Sequence, residues 1–119
     1  VGGEEMSEEI KLNLNSLLLI IGKTSHEHCV NAGFPIENDD CKDILLVHSE
    51  LSEAVEYLRM DNPKSNHIPD FSGVEEELAD AVIRICNYAY CRGFNLGDAI
   101  IAKLQFNETR EPKHGGKKF

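Results

Sequence analysis

Four carboxylates come in two matched pairs, Glu50-x-x-Glu53 and Glu77-x-x-Asp80, and residues three apart share a face wherever the chain is helical. If the two segments are consecutive antiparallel helices, the pairs converge. Four negative charges gathered that closely repel one another, and protonation or a bound cation must relieve them. Oxygen-only ligands select a hard ion, magnesium first, with manganese as its substitute. Such an ion would screen a phosphate chain, polarise its phosphorus and lower the pKa of bound water. Glu50 or Glu53 could then orient or deprotonate that water as the catalytic group, and spacing does not separate the two. By spacing alone, acids three apart on a helix are more often a solvated face. The surroundings of Glu50 weigh against that reading. Leu46, Val47, Ala54 and Tyr57 stand beside it on the helical wheel, so the carboxylate is partly buried or points into a lined cavity.

The elements that must position these acids are four helices, and no segment reads as a convincing strand. The first runs from about Ser7 to the region of Cys29 to Asn31, with Ile10, Leu14, Leu17, Leu18 and Ile21 among its apolar set, and stops at Gly33-Phe34-Pro35. Asn38, Asp39 and Asp40 offer capping side chains for a second helix, from about Cys41 to Met60, ending before Asn62-Pro63. Residues 61–73 read as a loop whose length favours a functional role over a simple turn. Ser72-Gly73-Val74-Glu75 is a capping box that opens a third helix, closed by Gly93. Asn95 can cap a fourth helix from Leu96 to about Arg110, which Pro112 halts.

On the third helix Glu76, Glu77, Asp80, Arg84 and Asn87 form one stripe, and apolar residues cover most of the remaining circumference. A helix apolar on so many sides needs cover from several directions. A chain of this length supplies little of it, so a homodimer or homotetramer is expected. The fold class is all-α: antiparallel helices forming a four-helix-bundle-like oligomer. The 119 residues suffice for one domain, 1–119, with a flexible lead-in over 1–6 and a basic tail over 111–119.

The net charge of −9 argues against a nucleic-acid partner, because a phosphate polymer would be repelled. A small anion remains possible if divalent cations stand between it and the acids. The longest strongly apolar run, Leu17 to Ile21, is too short to span a bilayer. Cys29, Cys41, Cys86 and Cys91 form no C-x-x-C pair, and the expected state is reduced, mostly buried thiols in a cytoplasmic protein.

The chain resembles the MazG-like nucleotide pyrophosphohydrolases of the all-α NTP pyrophosphatase superfamily. The resemblance is carried by His48-Ser49-Glu50-Leu51-Ser52-Glu53-Ala54, by Glu76-Glu77-Leu78-Ala79-Asp80-Ala81-Val82-Ile83-Arg84-Ile85, and by a third block. That block comprises Lys103, Asn107 and Arg110-Glu111-Pro112-Lys113-His114-Gly115-Gly116-Lys117-Lys118-Phe119. It covers the second helix to the C-terminus and implies cleavage between the α- and β-phosphates of a nucleoside triphosphate, giving a monophosphate and pyrophosphate. It implies a house-cleaning role against non-canonical or surplus nucleotides. Glu50, Glu53, Glu77 and Asp80 occupy the family's magnesium-ligand positions. Lys103, Asn107 and Arg110, at helical spacings of three and four, resemble residues near the phosphates, and Lys113 and His114 could close over the same site. Two departures stand out. Asn87 replaces an acid found in many relatives, and Gly115-Gly116 sits where a single glycine before lysine is expected.

Competing readings are weaker. The rival from another class is a non-enzymatic helical oligomerisation or regulatory module with a solvated acidic face. A di-iron protein would need two E-x-x-H pairs on helices, and the chain has a single such spacing, Glu111-Pro112-Lys113-His114 in the tail, with a proline inside it. No Walker glycine loop is present. His26 and His28, two apart on a helix, face different directions and make a poor zinc pair. Phe34 could line a base pocket or pack in a core or interface. Cys86, Tyr88 and Tyr90 read as packing residues.

Overall fold

The computed structural model describes residues 7–35 and 38–110. The lead-in and the basic tail, with Lys113, His114, Gly115-Gly116 and Lys117, lie outside the described residues. Four helices follow one another: α1 Glu8–Asn31, α2 Asp40–Arg59, α3 Gly73–Arg92 and α4 Leu96–Glu108. Among the described residues there is no strand, only an isolated bridge between Lys64 and Ser72. No helix among them is long and apolar enough to cross a membrane.

The helix ends follow local chemistry. Ser7 Oγ accepts from the backbone N–H of Ile10 and so caps α1. Among the three candidates before α2, Asp39 is the cap, its side chain accepting from Lys42 N. The capping box of α3 is complete: Ser72 Oγ accepts from Glu75 N at 3.2 Å, and Glu75 Oε1 accepts from Ser72 N at 3.0 Å. Gly93 closes α3 in the left-handed conformation, φ 68°. Ser72→Ala removes half of the box and is expected to cost about 1 kcal/mol, read as a Tm lowered by about 4 °C in a thermal melt.

Asn95 departs from expectation. It makes no side-chain cap, because its backbone (φ −85°, ψ 70°) is outside the extended region that aims a capping oxygen at the first turn. α4 ends at Glu108 with Thr109 as its C-cap, close to the expected end at about Arg110.

The chain divides into a central unit, Leu19–Phe94, and a terminal unit made of the two flanking stretches. In the central unit α2 and α3 are antiparallel neighbours. Asp40 at the start of α2 pairs with Arg92 at the end of α3. Glu50 near the middle of α2 pairs with Arg84, and the Tyr57 ring lies against Gly73 at the start of α3. The second half of α1 meets α3 at Gly22, which packs on the Cys86 carbonyl and Tyr90 Cβ. Nearby, Asn87 Nδ2 donates to Ser25 Oγ at 2.9 Å. The buried apolar set here is small: Ala54, Ala81, Cys86 and Ala89. In the terminal unit, Gly97 of α4 lies against Asn15, and Asn15 Nδ2 donates to Asp98 Oδ1 at 2.8 Å.

The thiols correct the expectation of burial. Cys86 alone is buried; Cys29 is half-buried, and Cys41 and Cys91 are exposed. The reason is which helix faces are covered: Cys86 lies on the face of α3 that meets α1, whereas Cys91 has only His26 Nδ1, at 3.3 Å, and Asn87 Oδ1, at 3.4 Å, as polar neighbours. All four are free.

Candidate metal centre

Because α2 and α3 are antiparallel, the two acidic pairs meet. Carboxylate oxygens of Glu50, Glu53 and Glu77 lie within 4.8 Å of one another, and so do those of Glu76, Glu77 and Asp80. Glu77 belongs to both groups and is the centre of the cluster. It is 6% exposed, as Glu50 is 7%, whereas Glu53 stands at the exposed edge and Asp80 is half-buried. The apolar neighbours read around Glu50 agree with its burial.

Two carboxylates sunk side by side cannot both carry charge cheaply. Burial, together with Glu50 and Glu53, pushes the Glu77 carboxyl up to about 8. Burial also pushes Glu50 upward, but hydrogen bonds from Glu77 and Arg84 outweigh it and hold Glu50 below the usual carboxylate range. Asp80 is raised by burial and by the charges of Glu50 and Glu76. A proton retained on Glu77 therefore keeps Glu50 anionic. Even so, Glu77 Oε2 is buried and has no hydrogen-bond partner. An orphaned buried carboxylate oxygen beside other carboxylates is poorly satisfied by protein alone and well suited to a hard cation. The donor set fits magnesium: acid oxygens only, with no sulfur or imidazole among these ligands.

Two supports around the cluster were not assigned from sequence. Arg84 Nε donates to Glu50 Oε1 at 2.8 Å. The signal was available, since Arg84 lies two helical turns beyond Glu77 on the same stripe. The second support is in the loop between α2 and α3. Glu76 is buried, and both its oxygens are taken: Ser65 Oγ donates to Oε1 at 2.6 Å, and His67 Nδ1 meets Oε2 at 2.6 Å. Those bonds from Ser65 and His67 keep Glu76 below the usual range. In return Glu76 raises the His67 pKa, by hydrogen bond and then by charge. Glu76 is thus a loop anchor, and Ser65-Asn66-His67 between two prolines was its only trace in the sequence.

Lys103, Asn107 and Arg110 of the third block sit in the terminal unit. Lys103 and Asn107 are exposed on α4, with Lys103 Nζ 4.6 Å from the Phe106 ring centroid. Arg110 lies past the end of that helix, so the shared helical face of Lys103, Asn107 and Arg110 does not extend to Arg110. Lys113 and His114 fall outside the described residues.

A cavity of about 770 Å³ opens elsewhere in the central unit, with Phe34, Tyr88, Tyr90 and Asn87 in its lining and Arg84 shared with the acid cluster. Phe34 thus lines a cavity. Tyr88 does more than pack, since its hydroxyl donates to Asp40 Oδ1 at 3.0 Å. His26 stacks obliquely on Tyr90, ring centroids 5.6 Å apart.

Comparison with known proteins identifies no relative. No family model, curated protein or solved structure matches the chain. The MazG-like resemblance rests on the sequence blocks alone.

Proposed function

We propose that the protein is a magnesium-dependent nucleoside triphosphate pyrophosphohydrolase that cleaves the α–β phosphoanhydride. The observation that carries this reading is the buried, unpartnered Oε2 of Glu77 set among Glu50 and Glu53. Such a group is costly in a mere solvated face and suits the ligand of a hard cation.

Glu50, Glu53, Glu77 and Asp80 would hold the ion, or manganese in its place. Bound there, it supplies charge neutralisation for the phosphates and a more acidic water. The residues of the chain divide the remaining work. Arg84 holds Glu50 in one orientation, which suits a fixed ligand. Glu53 is exposed and has no such clamp among the bonds described, so it is the better placed of the two to accept a proton from water. Lys103, Asn107 and Arg110, with Lys113 and His114 of the tail, are the residues proposed to bind the phosphates. The resemblance alone suggests removal of non-canonical or surplus nucleotides as the biological role.

Oligomerisation belongs to the same proposal. Leu78, Val82, Ile83 and Ile85 of α3 and Leu45, Val55 and Leu58 of α2 are exposed in the single chain. That much apolar surface on the packed pair favours a homodimer or homotetramer completed by further helices. The same surface is what a non-enzymatic oligomerisation module would carry, and such a module would need no orphaned Glu77.

The deciding experiment is a screen of canonical and modified triphosphates with magnesium, scored for pyrophosphate against orthophosphate. Pyrophosphate is the expected primary product, and orthophosphate would overturn α–β cleavage. Glu53→Gln and Asp80→Asn are each expected to abolish turnover with helical circular dichroism unchanged. Full activity in either variant would count against the ligand set.

A further inference from the structure

The loop between α2 and α3 spends unusual effort on one side chain. Asp61 and Asn62 both adopt left-handed backbone, φ 62° and 51°, a conformation that non-glycine residues adopt at some cost. Asn62 Oδ1 accepts from Val74 N at 3.0 Å, Gly73 N donates to Pro63 O at 2.8 Å, and Ser65 N donates to Phe71 O at 2.9 Å. Ser65, 2% exposed, donates to Glu76 and accepts from the backbone N–H groups of His67 and Ile68, each at 3.1 Å. The result is a rigid cradle whose outermost member is the His67 ring. That side chain is 82% exposed although its Nδ1 is held 2.6 Å from a carboxylate that is itself buried.

A carboxylate on Nδ1 fixes the ring plane and holds a proton there, so the neutral ring would turn only the Nε2 lone pair outward. The same carboxylate favours the cationic ring, and in that form Nε2–H donates outward. Glu76 also shares the cluster with Glu77 and Asp80, so the ring stands beside the acids rather than remote from them.

We propose that His67 is a substrate-binding residue whose Nε2–H grips the phosphate chain of a triphosphate held at the neighbouring acid cluster. The proposal rests on the pyrophosphohydrolase reading and extends it. It supplies a phosphate donor from the central unit itself, separate from the basic residues of α4 and the tail.

The test uses the full chain, magnesium and inorganic tripolyphosphate, a probe that carries the phosphates without a base. His67→Asn keeps an amide N–H in the place of Nδ1 for Glu76 but has nothing at the position of Nε2, whereas His67→Ala removes both. By calorimetry, His67→Asn is expected to bind magnesium as the wild type does and to melt within about a degree of it. It should bind tripolyphosphate about tenfold or more weakly, the loss expected for one charge-assisted hydrogen bond. His67→Ala should add a lowered Tm, because Glu76 loses a partner. On any triphosphate turned over, KM should rise more than kcat falls.

Wild-type affinity for tripolyphosphate in His67→Asn would overturn the proposal and leave the metal centre intact. Weakened magnesium binding in that variant would also overturn it, by showing that His67 acts only through Glu76. A wild-type protein that binds no magnesium would remove the pyrophosphohydrolase reading itself, before any variant is compared.

Discussion

Glu77→Gln is expected to do two opposite things: to remove magnesium-dependent turnover and to make the metal-free protein more stable. Loss of the central ligand should lower activity by more than about a hundredfold, the upper loss that removing an outer-shell partner of a metal site brings. The stability gain has a definite pH dependence. The folded protein keeps its proton on Glu77 up to about 8, while the unfolded chain releases it near the ordinary value of 4.5. Between those values the folded state binds more protons, so metal-free stability falls as pH rises. The lowered groups, Glu50 and Glu76, act in the other direction. Their contribution is complete above the ordinary carboxylate value and is lost only as pH falls below it. They leave this window to Glu77, to Asp80, which is also raised, and, above the ordinary histidine value, to the raised His67. A comparison of Glu77→Gln with the wild type isolates the first of these.

Glutamine has nearly the same shape, no charge, and an N–H to offer Glu50 or Glu53. Melting curves at pH 9 should therefore place the variant above the wild type by several degrees, from relief of about 1–3 kcal/mol, with little difference at pH 5. Magnesium should raise the wild-type Tm at pH 9 and leave the variant unmoved. A variant less stable than the wild type at pH 9, or one that still responds to magnesium, would refute the assignment of Glu77 as the cluster's unsatisfied centre.

Gly22→Val should produce a large loss of stability away from the acids. Helix propensity by itself makes glycine the poorer residue inside α1, by up to about 1 kcal/mol against alanine. The packing reverses that sign. A Cβ at Gly22 would strike the carbonyl oxygen of Cys86 and stand 2.8 Å from Tyr90 Cβ. A backbone carbonyl inside α3 cannot rotate away as a long side chain could. The α1–α3 approach must open, at a cost of about 3 kcal/mol, read as a Tm lowered by more than about 10 °C. Gly33 is the control. Its added Cβ meets nothing within 4 Å, but its φ of 82° is strained for any L-residue, so Gly33→Ala should cost only about 1 kcal/mol. Equal melting of Gly22→Val and the wild type would mean that α1 and α3 do not touch at this glycine.

What the chain spells out locally, the structure repeats. Ser72 with Glu75 reads as a capping box because both partners lie within one turn, and Gly93 reads as a stop because only its own backbone decides. The two acidic pairs and the apolar neighbours of Glu50 follow in the same way from helical periodicity. A local rule fails where the backbone angles are set by their surroundings: Asn95 has a capping side chain but not the backbone angles to use it.

Long-range facts come only from the tertiary structure. Periodicity places Arg84 on a polar stripe, but the rotation of α3 against α2 decides that it meets Glu50 across 34 positions of sequence. Likewise Glu76 looks like one more acid on that stripe until the loop folds back and Ser65 and His67 take both its oxygens. Burial of the thiols depends on which helix faces are covered, and composition cannot say so. The residues able to do chemistry are thus determined by the chain. Which of them are buried, paired or left unsatisfied is decided by packing, because desolvation and hydrogen bonding depend on neighbours remote in sequence.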